Sequence, residues 1–303
     1  MLARPRRHIG DRAWRGLTWA AGVSTVVILG GVVAFLIADG APALGGDATN
    51  LPRGATSVWQ LVWPLLFGSA WVAVWALLLA TPVGVGVALF TTMVAPRRLG
   101  TVLGAAIDLL AAVPSVVYGL WGLFVVAPVA AKVYAWIGVN LDWFPLFAGA
   151  PSATGRTVLT AAVVVAIMVL PLIATLSREV IALVPKASIE GSLALGATRW
   201  QAIRQVVLPQ AKSGIIAGAL LALGRALGET MAVAMVLSSS VTITWRLITS
   251  ENPGTVASFI AQNFPEAHGL EVSALLWLGL MLFAMTLVVN SVARGVINRK
   301  ATK

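Results

Sequence analysis

The stretch from Gly214 to Leu237 is apolar and, at about 1.5 Å of helix per residue, long enough to cross a bilayer, yet it carries Arg225 and Glu229. An arginine at the centre of a membrane helix costs about 2.5–3.5 kcal/mol on insertion scales, so it needs a partner or a water-lined cavity. A spacing of four puts Glu229 one turn further on, on the same helical face. Two kinds of chemistry follow. The pair can neutralise itself and hold a bundle together. Alternatively, the planar guanidinium of Arg225 can take an oxyanion such as phosphate, with Glu229 holding that fork when no anion is present. Gly224 and Gly228 form a GxxxG step beside the pair, and Gly214, Gly218 and Ala222 form a second ridge of small residues. Neighbouring helices can then approach closely, so the pair is expected to face protein or a cavity.

A second segment with distinctive spacing is "SIEGSLALGATRWQAIRQVVLPQ", residues 188–210. Ser188 can cap a short helix, Gly196 can turn the chain in a left-handed conformation, and Thr198 can cap a second helix that Pro209 limits. Ile189, Leu193, Trp200, Ile203 and Val207 give these helices an apolar side that needs a surface, whether the chain's own bundle, lipid or another protein. Gly191 to Thr198 has the glycine spacing of a phosphate loop but lacks its lysine and follows no strand. If the protein works with ATP, another chain must bind the nucleotide and its magnesium, and no cofactor is expected on this one. With two histidines, no cysteine and no paired carboxylates at catalytic spacing, hydrolase, thiolate-metal and disulfide chemistry have no support.

The elements that position these residues are membrane helices. Hydrophobic residues make up 59% of the 303 and charged ones 11%, a balance that a soluble surface does not allow. Six apolar runs can span, at 17–38, 66–91, 106–130, 157–177, 214–237 and 272–293. The fold class is all-α and polytopic. The net charge of +10 resides in loops, which points to membrane and not to nucleic acid. Sixteen basic residues lie before the first run, after the second, after the fourth and after the sixth, against four (Arg53, Lys132, Arg156 and Arg246) in the other three loops. The positive-inside rule then makes both termini cytoplasmic. The first run is longer than a signal-peptide core and reads as a retained helix, and Arg6-Arg7 makes only a weak twin-arginine signal. The organisation is a basic N-terminus (1–16), a first helix (17–38), an outer loop (39–65), a five-helix core (66–293) with a cytoplasmic loop at 186–213, and a basic tail (294–303). Trp14, Trp19, Trp59, Trp63, Trp136, Trp143 and Trp245 fall near the expected membrane boundaries, where indoles anchor.

In the third run Pro114 removes a helical hydrogen bond and is expected to kink or open the helix near Ser115 and Tyr118, whose hydroxyls could then face a pathway. Asp108 is expected to pair with a basic residue of an inner loop or of a neighbouring helix. Pro171 is expected to kink the fourth helix.

Glu190, Gly196 six positions on, then nine residues to Val206 and Leu208-Pro209, resemble the EAA loop (E-A-A-x3-G-x9-I-x-L-P) of ABC-importer permeases. Here Gly191-Ser192 replaces the paired alanines and Val206 the isoleucine, with Ala197 following the motif's glycine. The stretches "GRALGETMAV" (224–233), "LLAAVPSVVYGLWGLFVVAP" (109–128) and "VLPLIATLSREVIALVP" (169–185) resemble the phosphate-specific permeases of that family, from about residue 66 onward. That resemblance implies a type I permease fold in a bacterial plasma membrane. It implies an ATP-driven phosphate importer in which the chain is half of the pathway, with Arg225, Glu229, Ser115 and Tyr118 lining it. Glu190, Gly191, Gly196, Ala197, Leu208 and Pro209 would couple it to a cytoplasmic ATPase. The implied partners are a companion permease, a pair of ATPase subunits, an extracytoplasmic phosphate-binding protein and membrane lipid. The companion permease itself, a sulfate or molybdate permease, and a gradient-driven transporter using Arg225 and Glu229 as a proton-linked switch remain alternatives.

Overall fold

The computed structural model describes residues 9–45 and 51–301. Arg4, Arg6, Arg7, His8 and Lys303 of the basic termini lie outside the described residues. Six helical spans among the described residues are long and apolar enough to cross a membrane: Trp14–Leu44, Val58–Val94, Ser115–Asn140, Val158–Ala182, Arg199–Leu227 and Leu270–Gly295.

Among the described residues, twelve α-helices build these spans and their connections. α1 (Ile9–Gly40) and α12 (Leu270–Ala301) pack together, and a Cβ at Gly40 would lie 3.1 Å from the Trp277 backbone nitrogen. α2 (Val58–Leu89) and α6 (Val158–Ala182) form the central pair, with α9 (Leu208–Leu227) packed on both. α6 is the most buried span, and its Ala161, Val165, Val169 and Ile173 sit in the main core with Val72, Ala76 and Ala80 of α2. A membrane helix buried this way relies on close packing, because lipid tails remove the usual hydrophobic drive between helices. α9 meets α6 through small residues: Cβ atoms at Gly214 and Gly218 would run into Val180 and Leu176.

The third span differs from the expected 106–130. Residues 97–111 instead form a separate amphipathic helix, α3 (Arg97–Ala111), and the span starts after Pro114 as α4 (Ser115–Trp121) and continues through a wide turn (Gly122–Val126) into α5 (Ala127–Asn140). Pro114 has an extended ψ of 141° and ends helical geometry outright, so the proline opens the chain where a kink was the milder expectation. Pro171 lies inside continuous α6.

Wide, five-residue turns interrupt the helices at Phe90–Val94, Gly122–Val126 and Ile203–Val207. Each ends two residues before a proline, respectively Pro96, Pro128 and Pro209. A proline ring clashes with the carbonyl one turn earlier and donates no hydrogen bond, and at Pro128 and Pro209 one widened turn absorbs both defects without ending the helix, whereas before Pro96 the helix ends at Ala95, whose ψ is 143°. Pro209 therefore does not limit the second loop helix, as its type suggested. α8 (Arg199–Ala202) runs through the wide turn into α9.

The end of the bundle opposite α3 is closed by α10 (Met231–Val236), α11 (Val256–Asn263) and a two-residue parallel ladder, β1 (Ser239–Ser240) with β2 (Asn252–Pro253). Asn252, fully buried, ties this cap together. Its Nδ2 donates to the carbonyls of Arg156, Ser238 and Ser250, and its Oδ1 accepts from the Val158 N–H at the start of α6.

Candidate functional site

The helix carrying Arg225 does not continue to Leu237. α9 stops at Leu227, Gly228 and Glu229 leave helical geometry, and the chain restarts as α10 at Met231. Hydropathy alone reads one unbroken span across 214–237, because the break is made of backbone geometry inside an apolar run. Its consequence is that the spacing of four no longer places Glu229 on the face of Arg225. The two make no ion pair within 4.0 Å. Glu229 is buried, at 8% exposure, and its Oε1 accepts the Ala232 N–H at 3.1 Å, occupying a backbone donor at the start of α10. Arg225 is exposed on the surface of this chain.

The expected Gly224-Gly228 contact is also absent. A Cβ at Gly224 meets nothing within 4 Å, and one at Gly228 meets only the carbonyls of its own preceding turn. The small-residue ridge of Gly214 and Gly218 does pack, against α6. One glycine step thus faces protein and the other faces open space beside Arg225.

Ser115 and Tyr118 are brought to this place by α4, which packs against α10. Gly119 makes the approach possible, because a Cβ there would lie 2.9 Å from both the Ala232 Cα and the Met235 sulfur. Tyr118 is buried, and its hydroxyl donates to the Leu110 carbonyl at 2.9 Å across the Pro114 break. That bond satisfies a carbonyl at the end of α3, so the hydroxyl closes the broken helix and is not free to line a pathway. Ser115, half-buried, opens α4. Arg225, Glu229, Ser115 and Tyr118 therefore converge around one pair of broken helices, with Arg225 presented outward.

On the side of α3, Asp108 meets Arg178 of α6, with Nη2 to Oδ2 at 3.3 Å, and accepts the Thr175 hydroxyl at 3.0 Å. The pairing expected for Asp108 is made, but from α3. The guanidinium lies against Gly104, where a side chain would displace it.

The loop at 186–213 folds as helix, turn, helix. α7 (Lys186–Ala194) starts directly after Pro185, so Ser188 lies inside it and is not its cap. Gly196 has φ of +90°, and the bonds Gly196 N–H to Leu193 O and Ala197 N–H to Ser192 O close the helix end in a Schellman arrangement that only glycine adopts without strain. Thr198 then caps α8 reciprocally with Gln201: each side-chain oxygen accepts the other residue's backbone N–H, at 3.3 and 2.7 Å. No residue of α7 is buried, Glu190 and Pro209 are exposed, Leu208 is half-buried, and Leu195 at the tip is 91% exposed. The loop's tip is not packed on the chain's own bundle.

Sequence reasoning missed Asn252 as the hub of the closing cap. Its signal was a single amide in "ENPG", a pattern that reads as an ordinary turn.

A family model described as binding-protein-dependent transport system inner membrane component matches residues 80–301. The phosphate transport system permease protein PstC 2 of Mycobacterium tuberculosis is 39% identical over 308 residues, covering 98% of this chain and 94% of that protein. PstC of Xylella fastidiosa (strain Temecula1) is 44% identical over 78% of this chain and 74% of its own length, and PstC of Mesorhizobium japonicum is 37% identical over 97% and 92%. Among solved structures, a bacterial ABC transporter involved in the import of the acidic polysaccharide alginate matches 95% of this chain and 99% of its own, with a TM-score of 0.58 at 16% identity. The MetNI methionine ABC transporter in an inward-facing conformation matches 80% and 96%, with a TM-score of 0.56 at 18% identity. At these identities the structural likeness is one of fold.

Proposed function

The chain belongs to the family of binding-protein-dependent transport system inner membrane components, and from that premise we propose how it works in such a system. It is a multi-pass membrane permease subunit with the type I ABC importer fold, and the cargo is inorganic phosphate, as in its PstC relatives. Coverage of more than nine-tenths of the Mycobacterium tuberculosis and Mesorhizobium japonicum relatives carries this reading. The chain's role is transport, with ATP and magnesium held by a separate pair of ATPase subunits of the PstB kind. A companion permease of the PstA kind supplies the other half of the pathway, and a phosphate-binding protein of the PstS kind delivers the anion from outside. The membrane is the bacterial plasma membrane, with both termini on its cytoplasmic side.

The exposed tip of α7 and α8 supports docking on the ATPase through Glu190, Gly191, Gly196, Ala197, Leu208 and Pro209. Because α8 runs into α9 without a stop, displacement of that tip moves the helix that ends at Arg225. This gives alternating access by differential contacts in two states. Arg225 contacts the anion, while Glu229, Ser115 and Tyr118 hold the broken helices that present it. The test is uptake of labelled phosphate into proteoliposomes holding this chain with its candidate companion permease, ATPase and binding protein. ATP-dependent uptake resistant to excess sulfate and molybdate is the expected result. Uptake that ignores ATP and follows a proton gradient would overturn it.

A further inference from the structure

Asn290 and Arg294 stand four residues apart on α12 and so share a face. With Ala217, Leu220, Leu221 and Gly224 of α9 they line a cavity of about 350 Å³. The α9 wall offers no polar side chain, so Asn290 and Arg294 supply the side-chain donors. Among the described residues no carboxylate lies within 4.0 Å of Arg294. One end of the cavity is Gly224, the residue before Arg225, where a side chain would meet nothing within 4 Å. The rest lies along α9 between Arg225 and the loop from which α9 emerges.

We propose that Asn290 and Arg294 form a second oxyanion site, which takes phosphate from Arg225 and passes it toward the coupling-loop side. The inference rests on the importer reading above and adds a station to the same path. A single arginine that holds phosphate firmly enough to collect it also holds it too firmly to release it. A second site further along α9 divides that exit into two weaker steps, as multi-site pores do. The guanidinium forks over two oxygens of a tetrahedral anion and the Asn290 amide donates to a third. A phosphate-bearing lipid headgroup offers the same chemistry, so the test must separate the two sources.

The reconstituted complex is assayed with ATP and unlabelled phosphate inside the vesicles and loaded binding protein outside, in phosphatidylcholine alone and with added phosphatidylglycerol. Arg294→Gln should lower kcat about tenfold, leave KM for the loaded binding protein unchanged, and weaken inhibition by lumenal phosphate about tenfold, matching the loss of charge-assisted hydrogen bonds. Arg294→Lys should recover part of the lumenal inhibition because it keeps the charge. Gly224→Leu, which has space to fold, should lower kcat in the same way by filling the cavity. These effects should be equal in both lipids. Wild-type kcat and lumenal inhibition in well-assembled Arg294→Gln would overturn the site alone, and an effect confined to phosphatidylglycerol vesicles would reassign it to a lipid headgroup. Absence of ATP-dependent uptake in the wild-type complex would overturn the importer reading and this station with it.

Discussion

Glu229 accepts the backbone N–H of Ala232, three residues on, and makes no ion pair with Arg225, the residue four positions before it. A carboxylate and a guanidinium that sequence spacing joins are thus given separate tasks by one break in the helix. Glu229 starts α10 and Arg225 is left to face outward.

That separation predicts different outcomes for two substitutions. Glu229→Gln keeps a side-chain oxygen to accept the Ala232 N–H and should retain phosphate uptake within about twofold, whereas Glu229→Ala removes the cap and should cost about 1 kcal/mol of stability with a clear loss of uptake. Parallel thermal unfolding and uptake measurements decide the matter. Equal damage from both variants would restore a charge pairing with Arg225.

The α4–α10 contact is close enough to be tested by one methyl group. Gly119→Ala places a Cβ 2.9 Å from Ala232 Cα and Met235 sulfur, and should destabilise the chain by about 1–3 kcal/mol, as overpacking does. Partial relief in the double variant with Met235→Ala, which removes the sulfur, would show that the two helices are in contact. An unchanged midpoint for thermal unfolding of Gly119→Ala would refute that packing.

Asp108 and Arg178 form a partly exposed pair, with side chains 54% and 28% accessible. Such a pair should contribute less than about 1 kcal/mol in a double-mutant cycle, and the swap Asp108→Arg with Arg178→Asp should transport phosphate. Loss of uptake in the swapped protein at normal stability would assign these residues to transport and not to structure.

The coupling loop depends on a left-handed glycine. Gly196→Pro, unable to adopt φ of +90°, and Glu190→Lys, which inverts an exposed charge, should both abolish stimulation of ATP hydrolysis by the loaded binding protein. Membrane levels of the permease should stay normal, because Glu190 and Gly196 are both exposed and Ile189 is left to pack against the bundle. Undiminished stimulation in both variants would remove the loop from the coupling path.

Much of this architecture was legible in the residues. The six spans follow from hydropathy, and the turn at Gly196 and the cap at Thr198 follow from local backbone chemistry that each residue type carries with it. What was hidden shares one cause: breaks inside apolar stretches. Hydropathy carries no trace of the gap at Gly228 and Glu229, merges α3 with the span after Pro114, and cannot tell a proline that ends a helix from one that follows a widened turn. In sequence Tyr118 offers a free hydroxyl, because its acceptor, the Leu110 carbonyl, comes within reach only once Pro114 has opened the chain. The cavity between α9 and α12 left no local signal either: Arg294 reads as one more basic residue of a cytoplasmic tail until α12 is seen to bring it beside α9.

The most direct test of the central claim is ATP-dependent uptake of labelled phosphate by complexes carrying Arg225→Ala and Arg225→Lys, each checked for assembly and for basal ATP hydrolysis. The account predicts that Arg225→Ala assembles and hydrolyses ATP yet takes up almost no phosphate, and that Arg225→Lys, which keeps the charge but not the planar fork, retains only part of the rate. Wild-type uptake by an assembled Arg225→Ala complex would contradict it and leave the arginine without a role in carrying the anion.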